Sequence, residues 1–220
     1  MSPMGRGFDV CLARPEDAAT CEECLESEFV ACLVRQSGLV IAGVKPAAVF
    51  GFRPRASRCQ DDMVSRAIDA YARRFAAEGV MMHLLGERGG AQMLVVWRPR
   101  LVAKLLESAS NRDFLTRRAL PATGADALMR ALAERMIACY ARHAEFPHEV
   151  GLVLGYPLED VEGFIADGGR GSIARGRWRV YGDPRVARKR FVRLERVERH
   201  VRRLYSEGVP MRELLRMAAA

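Results

Sequence analysis

The hydrophobic patterning of this chain predicts an α+β fold, with a small mixed or antiparallel sheet packed by several helices. Three observations carry that expectation. Two short apolar runs joined by Gly86-Glu87-Arg88-Gly89-Gly90 read as a hairpin. Longer segments around them repeat their apolar residues at helical spacing. Strands and helices do not alternate in the regular way that builds a doubly wound sheet. Half of the 220 residues are hydrophobic and 28% are charged, enough apolar material for one sizeable core. No repeat or low-complexity linker divides the chain, so residues 1–220 are read as one domain with a helical appendage over about 183–220.

Taken in order, a first helix is expected from Pro15, with Glu16 and Asp17 in its dipole-favoured first turn, to about Gln36. Ser37-Gly38 would stop it. Leu39–Gly43 and Ala47–Phe52 then read as two strands, or one kinked strand, around Val44-Lys45-Pro46. Asp61–Glu78 is the clearest helix, with Val64, Ala67, Ile68, Tyr71 and Phe75 on one stripe and Gly79 at its stop. Val80–Leu85 is apolar on both faces and is expected as the central strand, pairing with Ala91–Arg98. Pro99 opens a helix. Thr123-Gly124-Ala125-Asp126 resembles a capping box and starts another through Leu128, Leu132, Met136 and Cys139. Val150–Leu154 reads as an apolar strand, Pro157 as the start of a short helix, and Arg177–Tyr181 as a strand. Asp183-Pro184 caps a long basic helix, and a last helix begins at Pro210.

Several function classes are excluded or disfavoured. Met1–Val10 lacks the charged-then-apolar order of a signal peptide, and no apolar run approaches the ~20 residues needed to span a bilayer. A cytoplasmic location and no membrane partner are expected. Six cysteines are too few for a disulfide scaffold. Cys21-x-x-Cys24 has metal-ligand spacing and shares a helical face with Cys32, Leu25, Glu28 and Phe29. Cys11, Cys59 and Cys139 supply no second pair, so buried thiols rather than a metal site are expected. No cofactor is specified.

The segment Phe146-Pro147-His148-Glu149-Val150-Gly151-Leu152-Val153-Leu154-Gly155-Tyr156-Pro157-Leu158-Glu159-Asp160-Val161-Glu162-Gly163-Phe164-Ile165 is rich in positional information. It resembles the signature of a family of bacterial proteins of unknown function, met mostly in anaerobes such as clostridia. Ala42-Gly43-Val44-Lys45-Pro46-Ala47 and Trp178-Arg179-Val180-Tyr181 fit that family in order and spacing, so the resemblance spans roughly Glu26 to Arg193. One element departs: the family's His-Cys-Ala-Pro-like stretch is replaced here by Gln36-Ser37-Gly38-Leu39. The resemblance implies a family but no activity, and the chemistry has to come from the residues.

His148 and Glu149 place an imidazole beside a carboxylate at the mouth of the expected strand. His148 would be a proton-transfer group or ligand, with Glu149 its orienter or an independent base. The plainer reading makes His148 a turn residue bonding a backbone carbonyl, with Glu149 at the surface. Lys45, between two apolar runs, would project its ammonium from a sheet end to bind a phosphate or carboxylate, or to form a Schiff base if desolvated. Gly151 and Gly155, with Tyr156, Trp178 and Tyr181, complete the candidate ligand-binding set. Gly168-Gly169-Arg170-Gly171 is a candidate anion cradle without the Lys-Ser/Thr of a P-loop.

Net charge is +8, and the stretch from Asp183 to Arg203 holds nine basic residues against three acidic ones, so most of the excess lies in the basic helix. The following turn resembles the start of a helix-turn-helix, without room for a recognition helix after it. The leading expectation is a protein or enzyme of anaerobic metabolism that binds a small anionic ligand. The alternative is a nucleic-acid- or protein-binding module that uses the arginine-rich helix. A structural scaffold is the third reading.

Overall fold

The computed structural model describes residues 21–54, 61–142 and 144–217. The expected helix start at Pro15, together with Cys11 and Cys59, lies outside them. In chain order the elements are α1 (Cys21–Ile41), β1 (Ala47–Phe52), α2 (Asp61–Ala76), β2 (Met81–Arg88), β3 (Ala91–Trp97), α3 (Pro99–Leu105) and α4 (Ala109–Arg117). Then come α5 (Ala125–Arg142), α6 (Val150–Val153), α7 (Leu158–Asp167), β4 (Ala174–Arg175), β5 (Arg179–Val180), α8 (Pro184–Ser206) and α9 (Met211–Arg216). The class is α+β. No helix among the described residues is long and apolar enough to cross a membrane.

The main sheet has the order β1-β3-β2 and is antiparallel throughout. Side chains alternate across a strand, and here both faces are covered by helices. Ala48, Phe50, Phe52, Leu94 and Val96 enter a core shared with α1, α2 and the C-terminal helices. Ala47, Met93 and Val95 enter a second core shared with α3 through α7. Four consecutive β3 residues, Met93 to Val96, are therefore buried. A third, smaller cluster joins Leu39, Trp178, Val180, Ala187 and Leu194, and seats the β4–β5 ribbon against α1 and α8. The helices expected as an appendage bury Val201, Leu214 and Leu215 in the first core.

Three expectations are corrected. The central strand is β3, and Met81–Leu85 of the expected run belong to the edge strand β2, whose His83 is exposed. The run is apolar on both faces because Val80, Met82 and Leu84 pack on the first core while Leu85, at a register shift between Leu84 and Gly86, enters the second. Ser37-Gly38 does not end α1. The Ser37 hydroxyl donates to the Leu33 carbonyl at 2.6 Å, within the helix, and a Cβ at Gly38 would lie 3.7 Å from Val201, where α8 packs on this face. Leu39–Ile41 are accordingly helical rather than strand. Val150–Leu154 is also not a strand: the Val150, Gly151 and Leu152 amides donate to the Pro147, His148 and Glu149 carbonyls at 3.0 Å each, winding α6.

Other elements follow the patterning closely. The α2 stripe is buried, Pro99 opens α3, and the Asp183 side chain accepts from the Arg185 amide at 2.7 Å as the cap of α8. The thiols of α1 divide: Cys32 is buried, as expected, while Cys24 is exposed.

Sequence reasoning passed over Arg98, which is buried where β3 hands over to α3. Its guanidinium donates to the Val40 and Ile41 carbonyls at 2.7 Å each and to the Leu215 carbonyl at 2.8 Å. The last carbonyls of a helix have no intrahelical partner. Arg98 supplies donors to Ile41 of α1 and Leu215 of α9 at once, and a second donor to Val40, which also accepts from the Gly43 amide.

Candidate functional site

Two helix stops build the site. At the end of α1 the Val44 amide donates back to Leu39 and the Gly43 amide to Val40, with Gly43 at φ 66°. At the end of α6 the Tyr156 amide donates back to Gly151 and the Gly155 amide to Leu152, with Gly155 at φ 77°. Both are Schellman closures that require a left-handed residue, for which glycine carries no Cβ penalty. Lys45 leaves the first stop and Tyr156 the second. The Lys45 ammonium lies 5.5 Å from the centroid of the Tyr156 ring.

Tyr156 in turn stacks on Trp178, with ring centroids 4.9 Å apart and planes 28° from parallel. Phe191 of α8 meets Trp178 edge-on at 4.5 Å. The Arg190 guanidinium covers the indole at 5.6 Å and donates to the Gly155 carbonyl at 2.7 Å. Arg177 is held by Glu198 through two bonds, at 2.8 and 2.5 Å. Asp160, buried at 3% exposure, fixes the indole from beneath: its carboxylate accepts from the Trp178 Nε1–H at 2.6 Å and from the Tyr181 and Gly182 amides at 2.6 and 3.0 Å. It therefore acts as a sheet-to-helix anchor and not as a charge facing a ligand.

The electrostatics follow from this crowding. Lys45 is half-buried, and burial, with Arg177 and Arg190 nearby, lowers its pKa to about 8 against the partial opposition of Glu198. Burial lowers Arg190 as well, while the Glu198 bond raises Arg177. Among the described residues neither Lys45 nor Arg190 has a carboxylate within ion-pair distance; Glu198 is committed to Arg177.

His148 occupies a different neighbourhood. Its ring packs 5.4 Å from Phe146 and 4.8 Å from Phe164. Burial lowers its pKa, opposed by Glu145 and Glu149. Glu149 is buried at 5% exposure rather than on the surface. It accepts from Arg118 at 2.8 Å and lies 3.6 Å from Arg135. Gly151 connects the two neighbourhoods, since a Cβ there would meet the Tyr156 ring at 3.2 Å. The structure thus brings Lys45, Gly151, Gly155, Tyr156 and Trp178 together and sets the His148 and Glu149 side chains among other partners.

Tyr181 packs on Gly163 and donates its hydroxyl to Asp167. The glycine loop expected to cradle an anion already holds one. The Gly169 and Gly171 amides donate to the Asp167 carboxylate at 2.8 and 2.6 Å, and with the Tyr181 hydroxyl they hold its carboxyl below the usual range. Among the described residues no group of three His, Cys, Asp or Glu side chains is placed to hold a metal ion. A separate open groove of about 560 Å³ lies between Ser108, Asn111, Arg117, Glu159 and Glu162. Its Arg117–Glu162 pair is closed on itself at 2.8 Å.

Arg190, Arg177 and Asp160 escaped sequence reasoning. Lys45, Gly155 and Tyr156 did not, because glycine and proline frame them.

A family model described as a protein of unknown function, DUF3793, matches residues 33–215, a span that includes every residue of the Lys45–Trp178 cluster. No curated protein and no solved structure matches the chain.

Proposed function

The chain belongs to the DUF3793 family, proteins of unknown function, and we propose that it binds a small organic anion, a carboxylate or a phosphate, on the cationic face of the Tyr156–Trp178 stack. One observation carries the reading: Lys45 and Arg190 both rest on that stack, and among the described residues neither has a carboxylate within ion-pair distance, Glu198 and Asp160 acting on them only from further off. Positive charge gathered on a partly dry surface is unfavourable, and an anion relieves it. The aromatic pair supplies a flat apolar floor, and Arg190, tied to the Gly155 carbonyl, is preorganised as a planar donor. Glu149, engaged by Arg118 and Arg135, serves in this reading as an anchor for α6.

Titration calorimetry with inorganic phosphate and with glycolate tests the proposal. Dissociation constants between about 10 µM and 1 mM are expected, weakened about tenfold or more by Lys45→Met and by Arg190→Met. No heat up to ~10 mM ligand, or binding indifferent to both substitutions, would refute it.

A further inference from the structure

We infer that Lys45 is the amine of a carbonyl-binding site, condensing reversibly with a small aldehyde or 2-oxo acid whose carboxylate or phosphate rests on Arg190. The inference deepens the anion-site reading and rests on it.

Placement is the first ground. The Lys45 ammonium lies over the Tyr156 ring on a half-buried side chain, with no carboxylate in ion-pair reach among the described residues. Glu198, bonded to Arg177, only partly favours the protonated form of Lys45. The second ground is the neighbouring charge. Arg190 is fixed between Gly155 and Trp178, so its guanidinium stands by to take the anionic end of a substrate, while Arg177, closed on Glu198, only adds to the positive charge around Lys45.

The third ground is residue choice. Of 35 basic residues only Lys45, Lys104 and Lys189 are lysines. The ion pairs found among the described residues use arginine, as do the cations over Tyr71, Tyr140 and Trp178. Lys104 and Lys189 are exposed. The one lysine packed into a cluster sits where a cation that can surrender its proton is chemically different from one that cannot. The lowered pKa of about 8 agrees with that role.

The step balances without an oxidant or a reductant. The neutral amine adds its electron pair to the carbonyl carbon, and the carbonyl oxygen becomes a hydroxyl. That hydroxyl takes a proton and leaves as water while the nitrogen lone pair closes the C=N bond. One proton is consumed, one water is released, and the iminium draws electrons from the adjacent carbon. Hydrolysis reverses each move.

The experiment treats the full chain with glyoxylate and cyanoborohydride at pH 7, then measures the adduct at each lysine by peptide mass spectrometry. Lys104 and Lys189 serve as controls within the same molecule. Lys45 should be modified roughly tenfold faster than either, since a lower pKa leaves more free amine although a weaker nucleophile. Glycolate, the same acid without the carbonyl, should slow the Lys45 reaction and leave the other two unchanged. Lys45→Arg should remove the fast adduct while the circular dichroism spectrum stays that of the parent. Equal rates at the three lysines, or a Lys45 rate that glycolate does not touch, would overturn the inference. Glycolate binding without a fast Lys45 adduct would overturn it and leave the anion site standing; loss of both would remove the two together.

Discussion

A lysine ammonium half-buried beside two guanidiniums is disfavoured twice, by lost hydration and by like charge. The folded pKa of about 8 lies below the ordinary 10.5, so between those values the unfolded chain binds more protons. The contribution of this group to stability therefore rises with pH across that window, and its penalty is full below pH 8. Lys45→Met should be more stable than the parent at pH 7 by about 1–3 kcal/mol, the gap closing toward pH 10.5. Urea titrations of both proteins at pH 7 and 10 measure the difference, and a variant less stable at both values contradicts the account. Arg98 predicts the opposite sign. Arg98→Met takes the side-chain donor from the buried Ile41 and Leu215 carbonyls, while Val40 keeps the Gly43 amide, and should cost about 2–4 kcal/mol. Arg98→Lys should recover little, because one ammonium does not reproduce a fork spanning two helix ends; equal stability of the lysine variant and the parent would refute that geometry. At this scale the sequence displayed Lys45 and Tyr156 through the glycines and prolines around them. It concealed Arg190, one of many arginines on α8, because its distinction is a contact with Gly155 that no local pattern encodes.

The patterning was most legible in elements that bury one stripe, such as α2, and in those opened by proline or aspartate, such as α3 and α8. It misled where tertiary contact overrides local propensity. Ser37-Gly38 is a plausible helix stop in isolation, yet α8 packs against Gly38 and keeps α1 going. The apolar run at Val150 looks like a strand because a four-residue helical turn is too short to show its period. The β4–β5 ribbon is held by close approaches: a Cβ at Gly176 would collide with the Phe191 ring, and one at Gly163 with Tyr181. Gly176→Ala should lower stability by about 1–3 kcal/mol and, by shifting Trp178, change the tryptophan fluorescence of the folded protein. An unchanged spectrum with parental stability would show that the ribbon does not depend on this contact. The arginines of α8 are partly committed locally, Arg199 to Glu195 at 3.9 Å and Arg203 to Glu207 at 3.8 Å. Binding to duplex DNA or single-stranded RNA should accordingly be weak and lost by ~150 mM salt, the behaviour of a basic face without base readout. Submicromolar, sequence-preferring binding that survives that salt, and is abolished by Arg196→Glu with Arg199→Glu, would favour a nucleic-acid function instead.

Over the whole molecule, β3 is the shared wall of two cores, so neither helical layer keeps its apolar face covered without the other. Unfolding should be one cooperative transition. Trp97 packs beside the second core and Trp178 belongs to the third cluster, so fluorescence and far-ultraviolet dichroism should trace the same urea curve. Val95→Ala and Val96→Ala, on opposite faces, should each move that whole curve by about 2–3 kcal/mol. Separate transitions would mean that the layers fold independently. The Arg98 tie sets a further condition, one that concerns synthesis. Its acceptor on Leu215 lies 117 residues downstream, and at roughly 5–20 residues per second a ribosome needs about 6–23 s to deliver it. Throughout that interval the part of the first core that Leu214 and Leu215 complete stays open on the nascent chain, and the buried cation lacks its third acceptor. A newly made chain therefore passes through a stage, fixed by the order of its own translation, in which it presents an open apolar surface to whatever holdase the cell provides.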